Sequence, residues 1–161
     1  LSILKSKSAS SANFVVKRKL RPLWKCPKCG ERFAGKNMWH SCGKFSLEDL
    51  FARSEPHVLD LFHKYANMVR ACGPVHIIPQ KTRLVFQVRM RFAGAIPRKS
   101  YLLCHFILPR KIDNGRFYKI ETFTPRCHAH YLRVDEEADL DAEIARLLKE
   151  AYAVGQQKFI R

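Results

Sequence analysis

Residues 46–157 alternate between two hydrophobic periods, and the switches between them divide the chain into elements. Val58, Leu59, Phe62, Tyr65, Ala66 and Val69 recur at helical spacing, which predicts an amphipathic helix with one buried stripe. Pro56 stands where a first helical residue tolerates proline, and Gly73-Pro74 stops the helix. Just before it, Ser46-Leu-Glu-Asp49 resembles a capping box with Asp at the reciprocal position and opens a short helix ending near Ala52. Residues 75–134 change to a period of two. Val75–Ile78 is a short strand. Residues 82–92 alternate, with Leu84, Phe86, Val88 and Met90 on one face and Arg83, Gln87, Arg89 and Arg91 on the other. A turn is expected at 94–99, a nearly continuous apolar strand at 101–108, a second turn at 109–115, and returning strands at 117–124 and 126–134 that complete an antiparallel meander. The acidic run 135–141 suits a helix N-terminus. Leu140, Ile144, Leu147, Leu148, Ala151 and Tyr152 then supply one apolar face up to Gly155. The expected fold class is α+β, with an antiparallel sheet of about five strands packed against N- and C-terminal helices.

Ahead of this body the pattern is chemical rather than periodic. Cys26-Pro-Lys-Cys-Gly30 is followed after ten residues by His40-Ser-Cys42, which gives three thiols and one imidazole at short range. That donor set matches a closed tetrahedral zinc site of the Cys3His kind, which staples a fold and leaves no position for water. Pro27 restricts the turn between the first two thiols, and Gly30 lets the chain bend after the second. The site residues expected for one structural Zn2+ are therefore Cys26, Cys29, His40 and Cys42. Trp24, Phe33 and Trp39 surround them as the small core such a module otherwise lacks. Domains follow directly: a flexible basic arm at 1–20, a zinc-ribbon-like module at 21–44 and an α+β domain at 45–161. The acid-free, Ser- and Lys-containing start also fits an organelle presequence.

Charge then changes the picture. The chain has 161 residues and a formal net charge of +16, distributed unevenly. Residues 1–44 carry eleven Lys or Arg against the single Glu31, residues 45–134 fifteen against six, and residues 135–161 four against seven. Such a surface attracts polyanions through counterion release, so nucleic acid, DNA or RNA, is the expected partner. No apolar run approaches the ~20 residues that span a bilayer, so no membrane role is expected. Cys72, Cys104 and Cys127 are left over as an odd number in apolar segments. They read as buried free thiols in a reducing compartment, hence a cytoplasmic protein.

A family resemblance rests on specific stretches of the body. Gly73-Pro-Val75, Pro79-Gln-Lys-Thr82, Val88-Arg-Met-Arg-Phe-Ala-Gly94, Leu108-Pro-Arg110, Leu140-Asp-Ala-Glu143 and Glu150-Ala-Tyr152 resemble a bacterial family catalogued as domain of unknown function 5655, over roughly residues 45–157. Trp24-Lys-Cys-Pro-Lys-Cys-Gly30 and Trp39-His-Ser-Cys-Gly43 are similar to the zinc-ribbon-type head that some members carry. The resemblance implies a compact bacterial cytosolic domain that also occurs as a tail on larger, including nuclease-like, proteins. It implies no activity and no catalytic residues.

Candidate chemistry beyond the metal is confined to the sheet. Arg83, Arg89 and Arg91 share one strand face, and Arg126, His128 and His130 share a face of the last strand. On a common side these six would form a basic shelf for phosphates. A solvated sheet face covered by long side chains is the plain alternative. Cys127 points away from His128 and His130 in a strand, which argues against a second metal with Cys104 and His105. The strand region offers only Asp113 and Glu121 as acids, and no phosphate loop, nucleophile elbow or His-Glu-x-x-His helix occurs. The sequence therefore reads as a non-enzymatic zinc-containing protein that binds nucleic acid, with hydrolytic activity left open. The alternative is an interaction or accessory module, for example in a defence or regulatory system, with an acidic protein partner.

Overall fold

The computed structural model describes residues 19–158, so the expected basic arm lies almost wholly outside the described residues. The fold is α+β. A two-stranded hairpin, β1 (Trp24–Lys25) and β2 (Arg32–Phe33), precedes two helices, α1 (Leu47–Phe51) and α2 (Pro56–Arg70). Six strands follow: β3 (His76–Pro79), β4 (Leu84–Gln87), β5 (Arg91–Pro97), β6 (Leu102–Leu108), β7 (Lys119–Thr124) and β8 (Cys127–Val134). A 3-10 turn at Glu137–Asp139 leads into α3 (Ala142–Gly155). Ser46 caps α1 by accepting from Asp49 N, and the reciprocal half of the capping box is present. Asp141 caps α3 by accepting from Ile144 N at 3.1 Å. Among the described residues no helix is long and apolar enough to cross a membrane.

The sheet is antiparallel in the order β3-β4-β5-β6-β8-β7, one strand more than expected and not a simple meander. β8 lies between β6 and β7 because it is the better core strand: five of its eight residues are buried and none of β7's six is. The β7–β8 hairpin therefore folds with its polar member at the edge. Helices α2 and α3 cover one face, and Val58, Phe62, Tyr65, Ile144, Leu147 and Leu148 meet Leu84, Phe86, Leu102, Phe106 and Leu132 there.

Two turns differ from the sequence reading, and both differences have a local cause. The alternation through residues 82–92 breaks at 88–90 into β4 and β5, because Arg89 N and Met90 N donate to Gly155 O at 3.1 and 3.0 Å. The carbonyl end of α3 thus captures a turn that hydrophobic alternation hides. Gly94, expected in a turn, is a buried strand residue whose missing Cβ leaves room for His105: a Cβ there would sit 2.3 Å from His105 Cε1.

His128 and His130 pair with Leu108 and Phe106 and so face the helices, not the open side. His130 is fully buried. Its Nδ1–H donates to His128 O at 3.0 Å, and its Nε2 accepts from Ile112 N at 3.0 Å. Both ring nitrogens are satisfied only in the neutral form, and burial pushes the imidazole below its ordinary value. His105 lies on the opposite face, stacked on Tyr131 with ring centroids 5.2 Å apart. Burial, and after it the charge of Arg83, lowers its pKa to about 4.

Both imidazoles titrate in the unfolded chain near pH 6.5 but resist protonation when folded, so the unfolded state binds more protons as pH falls. Stability should drop between pH about 6.5 and about 4, by up to about 3 kcal/mol from His105 alone. Urea denaturation of the parent and of His105→Gln across this window checks it. The variant should show the shallower loss, and equal slopes contradict the assignment. A second expectation concerns Gly155, where a Cβ would meet Phe92 Cδ1 at 2.5 Å. Gly155→Ala should destabilise by roughly 1–3 kcal/mol despite the better helix propensity of Ala, and a raised melting temperature would refute that.

Candidate metal centre

The N-terminal module has too little apolar surface to hold itself together, and its two strands are two residues each. What organises it is a pair of knuckles. Gly30 N donates to Cys26 O at 2.9 Å, and Gly30 adopts φ +78, so the chain reverses just after the second thiol. A second reversal uses Cys42 at φ 50 and Gly43 at φ 74. Cys42 accepts a conformation that costs an L-residue about 1–2 kcal/mol, which a bond at its sulfur can offset.

These turns bring four donor atoms together. Sγ of Cys26, Cys29 and Cys42 and a ring nitrogen of His40 all lie within 4.8 Å of one another, the one such group among the described residues. His40 Nε2 is 3.2 Å from Cys29 Sγ and 3.0 Å from Cys42 Sγ, and the Cys26 and Cys42 sulfurs are 4.0 Å apart. A tetrahedron with metal–sulfur bonds of about 2.3 Å and a metal–nitrogen bond of about 2.1 Å has edges of roughly 3.5–3.8 Å, so the cluster has the size to enclose one ion. The tautomer fits as well. His40 Nδ1–H donates to Met38 O at 2.8 Å, which leaves the Nε2 lone pair for a metal and fixes the ring. Amide donors from Cys29 and Lys28 help lower the Cys26 thiol to about 6, whereas burial and the neighbouring sulfurs raise Cys42. That mixture is what clustered thiols show before a dication neutralises them. The four side chains could therefore hold a metal ion, and with four protein ligands the shell is closed.

The module is fastened to the sheet. Phe33 is fully buried, with Trp24 and His40 rings at 6.0 and 4.6 Å. Arg91 donates to Trp39 O at 3.1 Å and lies 5.8 Å from the Phe33 ring centroid. Gln87 donates to Arg32 O, and Ser41 Oγ donates to Pro79 O at 3.0 Å. Sequence reasoning missed this last pair. Gln87 carried a faint signal, being an uncharged polar residue among arginines.

The structure does not gather the six residues expected to form a basic shelf. Arg91 clamps the metal module. Arg89 sits in the β4–β5 turn and donates to Gln157 Oε1 at 2.9 Å and to Arg21 O. His128 and His130 are buried under the helices. Arg83 and Arg126 are exposed but lie in the β3–β4 and β7–β8 turns. Arg83, Arg89 and Arg126 lie outside the strands, and the β6–β8 pairing sets which side of the sheet His128 and His130 face.

A family model described as Domain of unknown function (DUF5655) matches residues 47–155. No curated protein and no solved structure matches the chain. The match begins after Cys42, so the candidate metal site rests on its own geometry.

Cys29→Ser should reduce bound metal from about one equivalent to near zero while the 47–155 body keeps its fold, because loss of one thiolate opens the shell. Elemental analysis with circular dichroism checks this. Full retention of one metal in the variant removes the assignment.

Proposed function

The chain belongs to the family described as Domain of unknown function (DUF5655), which supplies no activity, and from its own residues we propose a zinc-containing protein that binds nucleic acid. Zinc is chosen on the donor set: three thiolates and an imidazole within 4.8 Å of one another suit a borderline-soft d10 dication. The ion would close the module and perform no chemistry on a substrate.

The observation that carries the nucleic-acid reading is the charge on that module. Residues 19–44 hold seven Lys or Arg against Glu31, and among the described residues none of the seven is in an ion pair. A metal centre of three thiolates and one dication offsets only about one of these charges. Uncompensated cations on a rigid support favour phosphates more than the same cations on a free arm, because less freedom is lost on binding. Arg91, Gln87 and Ser41 supply that rigidity. The trio Arg83, Arg89 and Arg91 is not the primary contact in this reading, since two of them are committed inside the molecule.

Affinity for random DNA or RNA should fall about a thousandfold between ~50 and ~200 mM salt if some six phosphates are contacted. Replacing Lys25, Lys28 and Lys36 together by Gln should weaken binding and flatten the salt slope by about one unit per lost contact, with an unchanged melting transition. Equal binding by parent and variant at every salt concentration would rule the module out as the contact. A parent that fails to bind at low salt would make an acidic protein partner the better account.

A further inference from the structure

At the end of the sheet where β3 turns into β4 and β5 into β6, the α1–α2 link closes against the turns and leaves a crevice of ≈ 800 Å³. Five cations line it: Arg53 from the link, Lys81 and Arg83 from the first turn, and Arg98 and Lys99 from the second. Asp49 is the one carboxylate on its wall, and Asp49 Oδ2 already accepts from Ser46 Oγ at 2.7 Å and Ser46 N at 3.3 Å. Backbone bonds hold the three segments in place. Gln80 N donates to Arg83 O at 2.8 Å, Arg98 N to Tyr101 O at 3.0 Å, and Glu55 N to Lys99 O at 2.7 Å. His57 Nε2–H adds a bond to Ser100 O at 2.9 Å.

The cations here differ from five others on the body, each of which has a carboxylate partner. Arg110 pairs with Glu150, Arg116 with Asp141 and Glu143, Arg133 with Asp135, Lys64 with Glu137 and Lys119 with Glu121. Among the described residues none of the five around the crevice is in an ion pair. Five like charges around one concavity repel one another, and an acid on a nearby turn would relieve them at little cost. The field is felt by neighbours: after burial, Arg83 is the next cause of the lowered pKa of both His105 and Arg91.

We propose that this crevice is a phosphate site whose ligand presents several phosphate groups in a row, as a free polyphosphate chain or as adjacent phosphates of a nucleic-acid backbone. One phosphate monoester carries about −1.5 to −2 charges and would offset fewer than half of the five. Arginine forks from Arg53, Arg83 and Arg98 can each take two oxygens of one phosphate, while Lys81 and Lys99 act as point charges. The volume is in the range of small-ligand clefts, about 300–1,000 Å³. The backbone form of the ligand rests on the proposed nucleic-acid function; the polyphosphate form stands without it.

The test is calorimetric titration of the full metal-bound chain with sodium tripolyphosphate at low salt. Four proteins are compared: the parent, a crevice variant with Lys81→Gln, Arg98→Gln and Lys99→Gln, the single variant Arg53→Gln, and the module variant with Lys25→Gln, Lys28→Gln and Lys36→Gln. All five crevice cations are solvent-exposed, so the crevice variant should melt like the parent, and Arg53→Gln alone provides a milder second variant. The expected result is saturable one-to-one binding by parent and module variant, at least about tenfold weaker in the crevice variant and partly weakened in Arg53→Gln. Displacement of a bound oligonucleotide by tripolyphosphate then identifies the backbone as ligand source. Tripolyphosphate binding beside an undisplaced or absent oligonucleotide identifies a free polyphosphate compound, even where the nucleic-acid reading fails. The proposal is overturned if the parent shows no saturable binding. It is equally overturned if the crevice variant binds as well as the parent, or if the module variant loses as much.

Discussion

The gathering of Cys26, Cys29, His40 and Cys42 into one cluster is the constraint on which the N-terminal module, residues 21–44, depends. Two-residue strands, two left-handed turns and one fully buried aromatic do not make a core that survives alone. With the four donor atoms already within 4.8 Å of one another, the cluster could hold a metal ion, which would turn loop into scaffold. The turn carrying His40 docks the module: the His40 ring packs 4.6 Å from that of the buried Phe33, and Trp39 O accepts from Arg91.

The second determinant is a sheet with helices on one face. Both α2 and α3 spend their apolar stripes on the same side, which leaves the other side to the N-terminal module and to contacts among its own side chains, such as His105 on Tyr131. Arg91 and Gln87 serve the module, and Arg133 lies 4.0 Å over the Tyr101 ring. At one end of this sheet the turns gather positive charge that, among the described residues, is in no ion pair. The same architecture therefore yields a basic module docked on the sheet and a basic crevice at its end.

Much of this was legible in the sequence, for physical reasons. The candidate metal ligands declare themselves through spacing, since Cys26 and Cys29, separated by two residues on a Pro- and Gly-flanked turn, are followed at short range by His40 and Cys42. Helix limits are written in local chemistry, in the Ser46–Asp49 box and in Pro56. The sheet's internal breaks are not local. Leu84, Phe86, Val88 and Met90 alternate straight through a turn that exists because Gly155 O, 65 residues from Met90, receives two amides. Gly94 signals a turn in sequence and is used instead as space for a histidine. His128 and His130 looked like surface cations, and only the β6–β8 register shows them to be core. Hydrophobic period assigns residues to a face; strand pairing decides which face is inside.

The central claim is that a metal-closed basic module is the binding surface, and it can be tested by making binding depend on the metal. The measurement is the affinity of the full chain for a random oligonucleotide at low salt, before chelation, after chelation, and after return of one equivalent of zinc. The account predicts a clear loss on chelation and recovery with zinc, accompanied by a steeper salt slope. Unchanged affinity in the chelated protein would contradict it.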